Sequence, residues 1–190
     1  MSTLPKVAVL GLGAMGHAFA SNLLKNGFTV AGWNRSPARG DREKGAAAEP
    51  VFAAISRGTQ WFGEAGNSQK MKLVLNAWLI SMMQGIAESA QLAKTLGFTP
   101  DQLWSALEGG PLAAPYVKVK LDAIASEQFT PQMQLAHALK DARLALSLAE
   151  PHTMPGLENI AELWQQAADA GYAGEDLSAV YQWLSPSSKA

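Results

Sequence analysis

The sequence predicts an α/β segment followed by an all-α one, and three observations predict it. The run Val7-Ala8-Val9-Leu10-Gly11-Leu12-Gly13-Ala14-Met15-Gly16 puts a strand-like apolar stretch ahead of three spaced glycines. A helix-period pattern follows it, and then a second apolar stretch, Phe28 to Trp33. From about Ser68 onward strand signals stop. Lys70 to Leu96 contains no proline and only Gly85 as a breaker, which predicts one long central helix. Several further helix starts follow it. The expected boundary separates an N-terminal domain over 1–66 from a helical domain over 67–190.

Residues 6–10 read as a buried strand. In the glycine run, Gly11 permits the tight turn out of the strand, Gly13 leaves room for a pyrophosphate, and Gly16 lets the helix pack closely. The first turn of the helix then offers free N–H groups and a positive dipole end to phosphates. Gly11, Leu12, Gly13, Ala14, Met15 and Gly16 are therefore the expected phosphate grip of a Rossmann-like dinucleotide site. Met15, Phe19, Leu23 and Leu24 share a face of the helix from Ala14 to Asn26, and Gly27 ends it. At the end of the second strand an acidic residue would favour NAD by binding both ribose hydroxyls. This chain has Asn34-Arg35-Ser36 there, with no carboxylate to repel a 2′-phosphate. NADP is the favoured cofactor and NAD the less favoured one, with Arg39 a further possible phosphate donor.

Residues 38–50 are polar and alanine-rich, 51–56 read as a short helix, and Thr59-Gln60-Trp61-Phe62 as a short strand closed by Gly63. That makes about three strands, where a complete dinucleotide domain has about six. The N-terminal part is therefore truncated. In the long helix Leu73, Trp78, Met82, Ile86 and Leu92 place apolar groups on more than one side, which predicts burial around much of its circumference. Gly97 stops it. Thr99 as N-cap and Pro100 at the first helical position start the next helix, over 100–108. Further helices are expected at 115–126, 133–149, 157–170 and 176–184.

Composition narrows the function. The chain has 190 residues, 48% hydrophobic and 16% charged, with a net charge of −1. That balance gives no electrostatic pull toward nucleic acid or anionic lipid. With no cysteine, disulfides, thiolate metal sites and cysteine nucleophiles are excluded. His17, His137 and His152 lack metal-ligand spacing. No apolar run reaches the roughly 18 residues of a membrane span, and no basic-plus-apolar leader precedes the first strand. A cytoplasmic location is expected.

Near the start of the long helix, Lys72 and Asn76 stand four residues apart and share a face. An ammonium beside a carboxamide can hold a substrate carbonyl or hydroxyl, although such a pair taken alone more often marks two surface residues. Gly11 to Gly16, Asn34-Arg35-Ser36, the Gly66…Lys72…Asn76 run and Lys140-Asp141 occur in one order. Together with Phe129-Thr130-Pro131 and Asp176 to Tyr181, they resemble the β-hydroxyacid dehydrogenase family, most of all its glyoxylate/succinic semialdehyde reductase side. The resemblance runs through residues 5 to 184.

It implies an NADP-dependent oxidoreductase moving hydride between the nicotinamide and a small hydroxy acid or its aldehyde. Lys72 would be the general acid, Asn76 would orient the substrate, and Lys140 would sit near cofactor and substrate with Asp141 as its structural neighbour. Family members carry a long stretch between the counterparts of Pro50 and Val51. It includes the remaining Rossmann strands and a segment that binds the substrate carboxylate, and it is missing here. Ser68 also stands where a glycine is common. The alternative the gap raises is a nucleotide-binding or dimerisation module with impaired catalysis. Family members pair through the helical domain, so a homodimer is expected.

Overall fold

A computed structural model describes residues 4–10, 14–33, 49–56, 58, 60, 62–64 and 66–185. The chain divides into two compact units, Met1–Lys70 and Met71–Ala190, where the sequence reading put the boundary at 66/67.

In the first unit, β1 (Lys6–Leu10) is followed by α1 (Ala14–Lys25), β2 (Thr29–Trp33) and α2 (Glu49–Ile55). β1 and β2 pair in parallel, with Lys6 opposite Thr29 and Leu10 opposite Trp33. Parallel neighbours need a crossover, and α1 supplies it. Its end is fixed by backbone geometry. Gly27 has φ +82°, Gly27 N–H donates to the Leu24 carbonyl and Phe28 N–H to the Leu23 carbonyl. Leu23 and Phe28, at the two ends of that reversed turn, are both buried. This is the glycine stop of a Schellman motif, closed by its hydrophobic contact.

Two sequence expectations are corrected in this unit. β1 is not a buried strand: Val7 and Val9 are half-buried while Lys6 and Ala8 are exposed, as alternation across a sheet of two strands requires. Of the strand expected at 59–62, Thr59 and Trp61 lie outside the described residues, and the two described positions are not in a strand. Among the described residues the sheet has two strands, and Gln60 and Phe62 belong to neither. The local bonds give the reason. Gly58 N–H donates to Ser56 Oγ across a turn. The Phe62 carbonyl accepts from Asn67 Nδ2 at 2.9 Å. Gly63 turns the chain at φ +83°.

The second unit is helical. It holds most of α3 (Asn67–Thr95), then α4 (Pro100–Leu107), α5 (Pro115–Ser126), α6 (Leu135–Leu148) and α7 (Pro155–Asp169). Two short 3-10 turns and α8 (Val180–Leu184) end the described chain, so the helix expected at 176–184 is a 3-10 turn running into a short α-helix. α3 ends as α1 does: Gly97 has φ +86°, and Phe98 N–H donates to the Ala93 carbonyl at 2.8 Å. The core gathers Ile80, Met83, Ala87, Leu121, Leu135, Trp164 and Val180. Trp164 carries a polar handle into it, and Gln84 Oε1 meets that handle at 2.7 Å. The pairing spares the indole N–H the cost of burial without a partner.

α3 is not buried around most of its circumference. Its buried residues form one face, from Ala77 and Ile80 through Met83, Ala87 and Ala90 to Ala93. Val74, Leu75, Trp78 and Leu92 lie exposed on its other sides. The core is supplied by α5, α6 and α7 on one side of α3, and a single layer covers only one face of a helix.

Lys120 on α5 and Asp176 form an ion pair of 2.8 Å inside the second unit, with both residues buried. The Tyr116 ring stacks 5.5 Å from the Lys120 ammonium. Burial, with Asp176 nearby, pushes the Tyr116 phenol well above its ordinary range.

Candidate functional site

The helical repeat places Lys72 and Asn76 one turn apart on α3, and α6 brings Asp141 to them. Lys72 Nζ donates to Asp141 Oδ2 at 2.8 Å, and Asn76 Nδ2 donates to the same oxygen at 2.6 Å. Lys140 Nζ stands 3.9 Å from the other oxygen, Oδ1. The carboxylate is 4% exposed at its side chain, whereas those of Lys72 and Lys140 are 59% and 66% exposed.

This asymmetry sets the electrostatics. Burial by itself raises the Asp141 pKa. The hydrogen bonds from Lys72 and Asn76, with the charges of Lys72 and Lys140, outweigh it and hold the carboxyl below its ordinary range. Asp141 is therefore a fixed anion that gathers two hydrogen-bond donors and a third group, the Lys140 ammonium, at ion-pair distance. Lys72 spends one N–H on it and keeps two. Two ammonium groups against one carboxylate leave the cluster with a surplus positive charge, which suits a small anionic ligand.

The sequence pattern anticipated Lys72 and Asn76 as a pair, and the structure brings them together on one acceptor. It brings Lys140 to the same carboxylate. It gives Asp141 the central place, where the family resemblance makes it only the structural neighbour of Lys140. The available signal was weak: an acidic residue three positions after Ala138, at the edge of the apolar face formed by Leu135, Ala138, Leu139 and Ala142.

The expected phosphate grip lies in the first unit. Ala14, Met15 and Gly16 form the first turn of α1, directly after the end of β1. Gly11, Leu12 and Gly13, which join the two, lie outside the described residues, as do Asn34, Arg35, Ser36 and Arg39. The arrangement around them fits a dinucleotide phosphate. Strand leads to helix N-terminus across a short glycine-bearing link, and the next strand lies parallel beside the first. Among the described residues no group of His, Asp and Glu has a metal-binding arrangement. No helix there is long and apolar enough to cross a membrane.

Comparison with known proteins bears on both units. Residues 66–184 match the family described as NAD-binding of NADP-dependent 3-hydroxyisobutyrate dehydrogenase. Residues 6–60 match the NAD-binding domain of 6-phosphogluconate dehydrogenase. Glyoxylate/succinic semialdehyde reductase 1 of Arabidopsis thaliana is 31% identical over 147 residues, 76% of this chain and 51% of that protein. The cytokine-like nuclear factor N-PAC of Aedes aegypti is 36% identical over 135 residues, 70% of this chain and 24% of that protein. The chain thus spans about half of one relative's length and a quarter of the other's. Among solved structures, the 3-hydroxyisobutyrate dehydrogenase of Mycobacterium tuberculosis is similar with a TM-score of 0.74 at 19% identity. That similarity covers 96% of this chain and 99% of the other, and it speaks to the fold. With its N-terminal βαβ unit, its helical second unit and these matches, the chain belongs to the β-hydroxyacid dehydrogenase family.

Proposed function

We propose that the chain is an NADP-dependent oxidoreductase moving hydride between a nicotinamide and a small hydroxy acid or its aldehyde. The observation that carries this reading is the convergence of Lys72 and Asn76 on the buried Asp141 carboxylate, at 2.8 and 2.6 Å. When bound, the nicotinamide supplies hydride to the carbonyl carbon. Lys72 Nζ donates a proton to the carbonyl oxygen, which becomes the hydroxyl, and is left as a neutral amine until it is reprotonated from water. Asp141 holds Lys72 in place through the 2.8 Å bond. The Asn76 amide orients the oxygen, and Lys140 attracts the carboxylate of a substrate acid. Gly11 to Gly16 hold the pyrophosphate, and Asn34, Arg35 and Ser36 meet the 2′-phosphate. The protein acts in the cytoplasm, as a homodimer paired through its helical domain.

A second reading has its own supporting observation. A complete dinucleotide domain has about six strands, and the described residues of this chain form two. Holding donor and acceptor in near-attack geometry is a large part of catalysis, so a reduced wall around the nicotinamide favours a nucleotide-binding or dimerisation module with little turnover.

Titration of NADPH by fluorescence, followed by its oxidation with glyoxylate or succinic semialdehyde, separates the two. The first reading expects turnover that falls by about 10²- to 10⁴-fold in Lys72→Ala, the range for loss of a general acid. Binding without turnover sinks the enzyme reading. Turnover untouched by Lys72→Ala removes the role given to that lysine. Tighter binding of NADH than NADPH overturns the reading of Asn34-Arg35-Ser36.

A further inference from the structure

We propose that Asp176 is a positioning residue for the Lys72–Asn76–Asp141 cluster, acting by fixing the N-terminus of α6. The inference rests on that cluster being the reacting site. α6 begins at Leu135, and its N-cap residue Gln134 makes no side-chain capping bond. The backbone just ahead of it is held from elsewhere in the chain. Asp176 Oδ2 accepts from Gln132 N–H at 3.0 Å and from Met133 N–H at 3.3 Å. Its other oxygen accepts from Lys120 Nζ at 2.8 Å, Ser178 N–H at 3.0 Å and Ser178 Oγ at 2.6 Å. Backbone bonds complete the clip: Asp176 N–H to the Phe129 carbonyl, Leu177 N–H to the Met133 carbonyl and Leu135 N–H to the Glu175 carbonyl.

A helix carries such a constraint forward. Each residue advances about 1.5 Å and turns by about 100°, so the phase set at Leu135 decides where Asp141 points. Hydrogen bonds of 2.6 and 2.8 Å to Asn76 and Lys72 tolerate displacements of a few tenths of an ångström.

A purely stabilising role does not account for the choice of residues. A buried ion pair is weak evidence for stability, because an apolar pair of similar volume often packs as well or better. An apolar residue at 176 would leave the Gln132 and Met133 N–H groups without their acceptor. Holding those two donors is what the carboxylate does and a leucine does not. Lys120 and Ser178 keep that carboxylate charged and oriented.

The test follows the carboxyl titration of Asp141 by NMR in the full chain labelled at aspartate, alongside thermal unfolding. Lys72 and Lys140 are the charged groups that face Asp141, so Lys72→Met sets the size of the signal by raising its midpoint. Asp176→Asn leaves Lys120 as a buried unpaired charge and can fail to fold. The deciding variant is therefore Lys120→Met/Asp176→Leu, which removes both charges and keeps a packed core. The expected result is a folded protein in which the Asp141 midpoint rises by most of the shift seen in Lys72→Met. A folded double variant with an unmoved Asp141 midpoint overturns the proposal, whatever its melting temperature. The readout does not depend on turnover. A shifted midpoint in a protein without reductase activity keeps the positioning role and removes the enzyme reading, and the reverse pattern does the opposite.

Discussion

Asp141 and Asp176 are both buried aspartates paired with lysine, yet the residues around them predict different costs. Lys72 is more than half exposed, so water screens it and solvates it if its partner is lost. Lys120 is buried with Asp176 and has no such recourse. Asp141→Asn is expected to cost about 1 kcal/mol, the upper end for exposed pairs. Asp176→Asn is expected to cost about 3–5 kcal/mol, the range for a buried charge left alone. Urea unfolding of the two variants measures the difference, and equal costs would contradict it. Both carboxyls are also held below their ordinary range in the folded state, against the opposing pull of burial. The unfolded chain therefore binds protons more readily. Their stabilisation is complete above the ordinary carboxyl pKa of about 3.9 and is lost as pH falls through the lower folded values. Wild type and Asp141→Asn should accordingly differ in melting temperature at pH 7 and converge in acid. Curves that stay parallel down to pH 3 would show that Asp141 does not titrate with folding.

At the scale of single elements, local chemistry decides the ends and packing decides the rest. α4 illustrates the first. Thr99 Oγ1 accepts from Gln102 N–H at 3.2 Å, and Gln102 Oε1 accepts from Thr99 N–H at 2.9 Å, a reciprocal capping box. α4 has no fully buried residue, and Leu103, Trp104 and Leu107 pack on the core only in part, so its first turn leans on the cap. Thr99→Ala is expected to cost about 1 kcal/mol and to speed amide exchange across 100–107 while the amides of α7 stay protected. Uniform acceleration in both helices would show that α4 does not open separately. This start was legible in the sequence because Thr99 and Pro100 stand side by side at its first positions, as were the glycine stops at Gly27 and Gly97; the Gln102 half of the box was not read. The Lys72–Asn76 pair was legible because the two stand four residues apart on one helix. What was not legible depended on distant partners. Asp176 reads as an ordinary helix start, and Lys120 as a surface lysine on an amphipathic helix. Their 2.8 Å bond joins positions 56 apart in the chain. The 59–62 stretch has strand composition, but a parallel strand exists only where a neighbour accepts it, and its described residues Gln60 and Phe62 pair with no strand, the Phe62 carbonyl bonding Asn67 instead.

For the whole molecule, the unfinished business is the outer face of α3. Val74, Trp78, Leu92 and Leu96 are each about 60% exposed or more. At about 100° per residue they fall within one narrow stripe along the helix. Gly85 lies on the same stripe, and a Cβ placed there would meet nothing within 4 Å. A stripe with large apolar groups at both ends and a bare glycine between them allows another helix to approach closely at its middle. Exposed apolar area of this kind marks an interaction surface in a soluble protein, and a two-fold interface presents the same patch from both copies. The proposed homodimer places that stripe at its centre. Sedimentation velocity is expected to give twice the 20.2 kDa mass of one chain. Trp78→Glu should shift the equilibrium to monomer without unfolding the chain, because its side chain packs on solvent and not on the core. Lys94→Glu, on the same helix but away from the stripe, should leave the mass unchanged. A wild-type monomer, or a dimer that survives Trp78→Glu with undiminished affinity, would rule out this face as the contact.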